Sequence, residues 1–216
     1  MVYDLVKQID SKLSPKLNYT ITTPTNFSKE EKLPLIVFLH GAGERGDDIN
    51  KVKVYCVPKL FGKNQDMERV VTLAPQCPYN LTWYDFKWDV ISLIEDVIKE
   101  YNIDENRVSL TGISMGGFGT WDFITRYRHI VAAAVPVCGG GDVNTMKKIT
   151  DLPVWIFHGG ADDVVPVENS RKLFAELKRL GAPARYTEYN QVLHASWTPA
   201  YGDENLFRWL FQQTLN

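Results

Sequence analysis

The feature that most restricts this chain is a set of short apolar runs that do not alternate. Leu35–Leu39 (LIVFL), Val70–Leu73 (VVTL), Val108–Thr111 (VSLT), Val131–Val137 (VAAAVPV) and Val154–His158 (VWIFH) are of strand length and mostly apolar, and Ala184–Tyr189 (ARYTEY) adds a sixth run. A strand with one wet face alternates, whereas a run apolar throughout is covered on both faces. Helical patterns lie between these runs. Trp88, Ile91, Ile94, Ile98 and Tyr101 fall three and four apart, which predicts one apolar stripe on a helix. A second helix is predicted from Val167 to Leu180, with Leu173, Leu177 and Leu180 inward and Gly181 and Pro183 as stop signals. A third, from Glu204 to Thr214, should bury Leu206, Phe207, Leu210 and Phe211. Strands alternating with helices give an α/β fold, a mostly parallel sheet with helices on both faces. The alternating "KLNYTITT" near residue 20 is expected to add an antiparallel edge strand.

At 216 residues and 44% hydrophobic, the chain is expected to form a single domain over 1–216. A net charge of −2 gives no positive field for nucleic acid or an anionic membrane surface, so neither is expected as a partner. The apolar runs are far shorter than the roughly 20 residues of a spanning helix. The opening "MVYDLVKQIDSKLSPKL" carries Asp4, Lys7 and Asp10 and no apolar export core, which favours a cytoplasmic location, or a secreted one if a signal peptide has been removed. Cys56, Cys77 and Cys138 form no C-x-x-C pair and are expected as reduced, buried thiols.

In a parallel α/β sheet, ligands bind at the carboxyl ends of the strands. Four loops leaving those ends carry reactive residues: "HGAGERGDD" after Leu39, "GISMGG" after Thr111, "HGGADDVVP" after Phe157 and "NQVLHASW" after Tyr189. Gly112-Ile113-Ser114-Met115-Gly116 reads G-x-S-x-G between a predicted strand and a predicted helix. That is the setting of a sharp turn projecting a serine into a cleft. A serine hydroxyl is a weak nucleophile and needs a base. Of the four histidines, His40 and His158 end strands and are expected to shape their loops, and His129 lies away from the strand ends. His194, in the loop after the last strand, is the expected base. The orienting carboxylate should come from Asp162 or Asp163, between which spacing does not choose. The glycine-rich "HGAGERG" can aim backbone N–H groups at an oxyanion, with the amides of Ala42 and Met115 as the expected donors. It matches neither phosphate-binding glycine pattern.

The order Ser114, aspartate, His194 is that of the α/β-hydrolase arrangement. Over about residues 33 to 214, "LHGAGERGDD", "LAPQCP", "LTGISMGGFGTW", "HGGADDVVP" and "LHASW" resemble the small serine esterases of the phospholipase/carboxylesterase and dienelactone hydrolase-like group, including its feruloyl and acetyl xylan esterase branch and sequences labelled predicted peptidases. The resemblance implies Asp162 as the triad carboxylate and places Gln76 and Trp83 along the cleft as substrate contacts. It also implies a serine carboxylesterase that works through an acyl-enzyme with no metal or cofactor. Cap-bearing members insert a lid after the strand matching Val131–Val137, but only 16 residues, Cys138 to Pro153, follow it here. No cap domain is therefore expected. An open cleft suits short-chain or aryl esters, on a small molecule or a polysaccharide. The same side chains would serve a peptidase, or an acyl-protein or lysophospholipid (thio)esterase, and such a fold can also be a silent binding module.

Overall fold

The structure, a computed structural model, describes residues 6–8, 18–24, 27–28, 30–54, 57, 59, 69–85 and 87–215, with backbone alone for 6–8 and 87–89. Cys56, the first five residues and the first two of "KLNYTITT" lie outside the described residues, and the Trp88 side chain does too.

Eight strands form one sheet: β1 (Val6–Gln8), β2 (Tyr19–Thr22), β3 (Leu33–Leu39), β4 (Val71–Pro75), β5 (Ile103–Ile113), β6 (Ala133–Val137), β7 (Val154–Gly159) and β8 (Ala184–Tyr189). Their order across the sheet is β1-β2-β4-β3-β5-β6-β7-β8. Strands β3 to β8 pair in parallel, and β2 runs antiparallel to both β1 and β4. The helices whose bounds are described are α1 (Lys87–Glu100), α2 (Met115–Arg126), α3 (Glu168–Arg179), α4 (Trp197–Tyr201) and α5 (Glu204–Phe211).

The alternation of side chains along each strand sorts the core into two layers. Leu35, Val37 and Leu39 of β3 face Val90, Leu93, Ile94 and Val97 of α1, Trp121 and Ile124 of α2, and Leu173 and Leu177 of α3. Ile36 and Phe38 face the opposite layer, with Tyr201 of α4 and Leu206, Phe207 and Leu210 of α5. Every residue of β3 is buried, which is why its sequence shows no alternation. Full burial of one such side chain contributes about 1.5–3 kcal/mol.

Several expectations need correction. Strand β5 begins at Ile103, not Val108. Its polar stretch Asp104–Arg107 carries no apolar signal, and a bulge between Leu33 and Leu35 resets its pairing with β3. The N-terminal strand β1 has no counterpart in the expected set. On α1 the buried stripe is Val90, Leu93, Ile94 and Val97, continued by Tyr101 just past its end; Ile91 and Ile98 sit only at its margin. Helix α5 ends at Phe211 and also buries Trp209. That indole meets Trp155 edge-on at 5.4 Å, and the Arg185 guanidinium lies over both rings. Helix α3 stops at Gly181, whose φ of +76° is the left-handed conformation expected just past a helix end.

The topology fixes where a ligand can sit. From β3 the chain crosses to β4 on one side, and from β5 it proceeds to β6 on the other, so the loops leaving β3 and β5 diverge above adjacent strand ends. Such a switch point opens a crevice. Between β6 and β7 there is only a 3₁₀ segment, Val143–Lys148, and among the described residues no cap domain covers the crevice.

Candidate active site

Ser114 stands at the end of β5 with φ 51° and ψ −115°, a left-handed conformation that costs a non-glycine residue of order 1–3 kcal/mol. Hydrogen bonds from its N–H to the Val137 carbonyl (3.0 Å) and from Phe118 N–H to its own carbonyl (3.0 Å) hold it there. The flanking glycines answer a packing demand. A Cβ on Gly116 would lie 1.9 Å from the Leu39 carbonyl oxygen, and one on Gly112 2.4 Å from the Gly116 oxygen. The turn is thus pressed onto the end of β3, and Ser114 is brought beside the loop that follows it.

That loop is a 3₁₀ turn, Ala42–Glu44, capped at Gly41. Burial raises the Glu44 pKa above the ordinary carboxylate range, and the nearby amides of Gly41 and Glu44 oppose the rise. Ala42 and Met115 are the first residues of their helical turns, so neither N–H has an intrahelical acceptor. Gln76 and Trp83, expected along the cleft, do not line the cleft that opens over Ser114. Both are buried, at 1% and 3% exposed, and serve as loop anchors. Gln76 Nε2 donates to the Glu44 and Asp48 carbonyls at 2.8 Å each, and Trp83 Nε1 donates to the His40 carbonyl at 3.0 Å.

His40 completes this scaffold. Its Nδ1 donates to the Gly41 carbonyl (2.6 Å), and its Nε2 accepts the Cys77 N–H (2.9 Å). Burial lowers its pKa to about 4; the Gly41 bond opposes the shift and the Arg45 charge adds to it. In the unfolded chain the same histidine takes up a proton near 6.5. Between those values the unfolded state binds more protons, so stability falls as pH drops through the window, by about 3 kcal/mol in all from this residue. His158, also lowered by burial, adds in the same direction, whereas Glu44, raised, works against it. Urea midpoints measured from pH 7 to 4.5 should fall accordingly. A flat profile would contradict the neutral, buried His40.

The two remaining loops are fastened to each other. Gly160 N–H donates to the Tyr189 carbonyl (2.9 Å), and Ala161 N–H to Val192 (3.1 Å). Gly159 permits this contact, since a Cβ there would lie 2.3 Å from the carbonyl oxygens of both Val192 and Leu193. Beyond His194 the chain enters α4, whose Tyr201 hydroxyl lies 2.6 Å from Thr111 Oγ1 of β5.

Three side chains thereby meet. His194 Nδ1 lies 2.8 Å from Asp162 Oδ2 and 3.0 Å from Oδ1, and His194 Nε2 lies 2.9 Å from Ser114 Oγ. A carboxylate only accepts, so Nδ1 carries the proton and Nε2 accepts from the serine hydroxyl. Asp162 Oδ1 also accepts the Val164 and Val165 N–H groups at 2.9 Å each. Burial would raise the Asp162 pKa, but the bonds from His194, Val165 and Val164 together hold it below the ordinary carboxylate range. Asp163 is exposed and takes no part. His129 is exposed on a 3₁₀ turn after α2.

A cleft of about 300 Å³ opens over Ser114 and His194, lined also by Gly41, Ala42, Gly43, Glu44, Ile113, Val164 and Trp197. Trp197 and Val164 carry its apolar wall and were not singled out from the sequence as contacts. The Trp197 ring stands edge-on to His194 at 5.4 Å, and Val164 is 64% exposed. Only the spacing in "LHASW", three residues past His194, hinted at the first. Among the described residues, the one cluster of metal-ligand composition is Cys138, Asp162 and His194, with atoms within 4.8 Å. Burial pushes the Cys138 thiol up to about 12, so it stays protonated and is a poor ligand.

A family model for the dienelactone hydrolase family matches residues 57–204. The chain belongs to the dienelactone hydrolase family. It is 37% identical over 106 residues to a bifunctional acetylxylan esterase/xylanase of Neocallimastix patriciarum, covering 46% of this chain and 16% of that protein. It is 27% identical over 215 residues to an uncharacterized secreted protein of Arthroderma benhamiae, covering 78% and 22% respectively. The crystal structure of a thermostable esterase superposes with a TM-score of 0.87 at 37% identity, covering 98% of this chain and 63% of the other. The chain thus spans less than two thirds of the length of each. The fold is that of an α/β-hydrolase, and no described helix is long and apolar enough to cross a membrane.

Proposed function

We propose that this member of the dienelactone hydrolase family is a serine carboxylesterase acting on short-chain or aryl esters. The observation that carries the reading is the unbroken relay from Asp162 through His194 to Ser114 at the floor of the cleft. Ser114 Oγ attacks the ester carbonyl while His194 Nε2 takes its proton, and Asp162 stabilises the imidazolium that forms. The amides of Ala42 and Met115 receive the developing oxyanion. Collapse of the tetrahedral intermediate expels the alcohol, which is protonated by His194, and leaves an acyl-enzyme. Water, activated by the same ring, then releases the acid. No step calls for a metal or cofactor.

Substrate size follows from the shape of the cleft. A long acyl chain gains roughly 0.8 kcal/mol for each CH₂ that apolar surface encloses. Among the described residues, Ala42, Ile113, Val164 and Trp197 supply such surface and no cap lies above them. Acetyl to butyryl p-nitrophenyl esters should therefore be cleaved faster than decanoyl ones, without interfacial activation, and an aryl ester such as methyl ferulate should be accepted against Trp197. The acetylxylan esterase relative supports an acetyl group carried on a polysaccharide. The check is kcat/KM across the acyl series in detergent-free buffer, beside a peptide p-nitroanilide. A maximum at ten carbons or more would favour a lipid-directed esterase, and a dominant rate on the anilide would favour a peptidase.

A further inference from the structure

Asp162 lies against a second histidine. His158, next to last in β7, is fully buried, and its Nε2 lies 3.2 Å from Asp162 Oδ2 and 3.0 Å from the Val165 carbonyl oxygen. Its Nδ1 lies 2.7 Å from Ser170 Oγ, near the start of α3. Both groups facing Nε2 are pure acceptors, so Nε2 carries the proton, and Nδ1 accepts the Ser170 hydroxyl. The ring is neutral in this arrangement: burial disfavours its charged form more than the Val165 and Asp162 oxygens favour it, and His194 opposes the charge further. Ser170 thus fixes the tautomer that turns an N–H toward Asp162.

We propose that His158 is a positioning residue that holds the Asp162 carboxylate in the orientation that receives His194; the proposal rests on the triad reading above. Two backbone N–H groups pin Oδ1 but leave the carboxylate free to pivot about that oxygen. The His158 Nε2–H, bonded to the Val165 carbonyl and 3.2 Å from Oδ2, opposes that pivot by its attraction for the carboxylate, and Oδ2 is the oxygen closer to His194 Nδ1. The donor must be neutral. A cation buried at this position would compete with the His194 imidazolium for the same negative charge at the moment of reaction. A neutral imidazole with its second nitrogen capped by a hydroxyl meets both demands, which a loop anchor to Val165 alone would not require.

The test uses the full chain with p-nitrophenyl acetate and compares His158→Leu, His158→Gln and Ser170→Ala with the parent. Loss of one close polar contact with a charged acceptor corresponds to about tenfold in kcat/KM. His158→Leu should show that loss in kcat with KM nearly unchanged, and the low-field proton NMR resonance of His194 Nδ1–H should shift or broaden. His158→Gln, which keeps an N–H donor, should recover most of the rate. Ser170→Ala should fall between, and it leaves the ring in place should His158→Leu fail to fold. Unchanged kcat and an unchanged His194 resonance in folded His158→Leu, or in Ser170→Ala if the former is unfolded, would overturn the proposal. Fluorophosphonate labelling of the parent at Ser114 in the same series separates the two readings. A labelled parent with unaffected variants removes the role of His158 alone, and an unlabelled parent removes the triad as well.

Discussion

Ser114→Ala is expected to fold as the parent does and to lose on the order of 10⁶ in turnover, the loss typical of removing such a nucleophile. Both residue types meet a similar steric cost at φ 51°, so the turn pressed against Leu39 is retained. The pairing of His194 with Asp162 also survives. Only the oxygen that would carry the acyl group is gone. Circular dichroism and kcat on p-nitrophenyl acetate check this together. A folded variant retaining a tenth of the parent rate would contradict the assignment.

Asp162→Asn should lower kcat by about 10⁴. Oδ1 is fixed as an acceptor by the Val164 and Val165 amides, so the new NH₂ group must occupy the Oδ2 position. There it faces His194 Nδ1 and can only donate. The imidazole is driven to the tautomer with its proton on Nε2, which can no longer accept from Ser114, and the charge that would stabilise the imidazolium is lost. Asp163→Asn, one residue on, should leave kcat near the parent value because its exposed carboxylate lies outside the relay. The pair is to be measured on one substrate. A larger loss at position 163 would reverse the choice of carboxylate.

The sheet and the loops that carry the site were legible because burial on both faces forces apolar runs, and because the G-x-S-x-G turn needs its glycines where Leu39 and Gly116 oxygens leave no space. The choice between Asp162 and Asp163 came from resemblance alone, since adjacent residues differ only in which way each side chain faces. The burial of Gln76 and Trp83 beneath their loops is not legible in the sequence for a related reason. Sequence position puts both beside the cleft, but whether a side chain points into it or beneath it depends on loop packing, and here two carbonyls capture the Gln76 amide. His158 was seen as shaping its loop. Its approach to Asp162 arises from the turn at residues 159–162, which brings residues four apart together without helical periodicity. Trp197 reaches the cleft through α4, a helix of five residues, too short to leave a periodic signal.

The central claim is that Ser114, activated by His194, forms a covalent acyl-enzyme. The most direct measurement is intact mass after incubation with a fluorophosphonate, followed by peptide mapping. The account predicts one adduct per chain, on Ser114, suppressed in Asp162→Asn and absent in Ser114→Ala. A folded parent chain that remains unlabelled, or that carries its adduct on another residue, would contradict it.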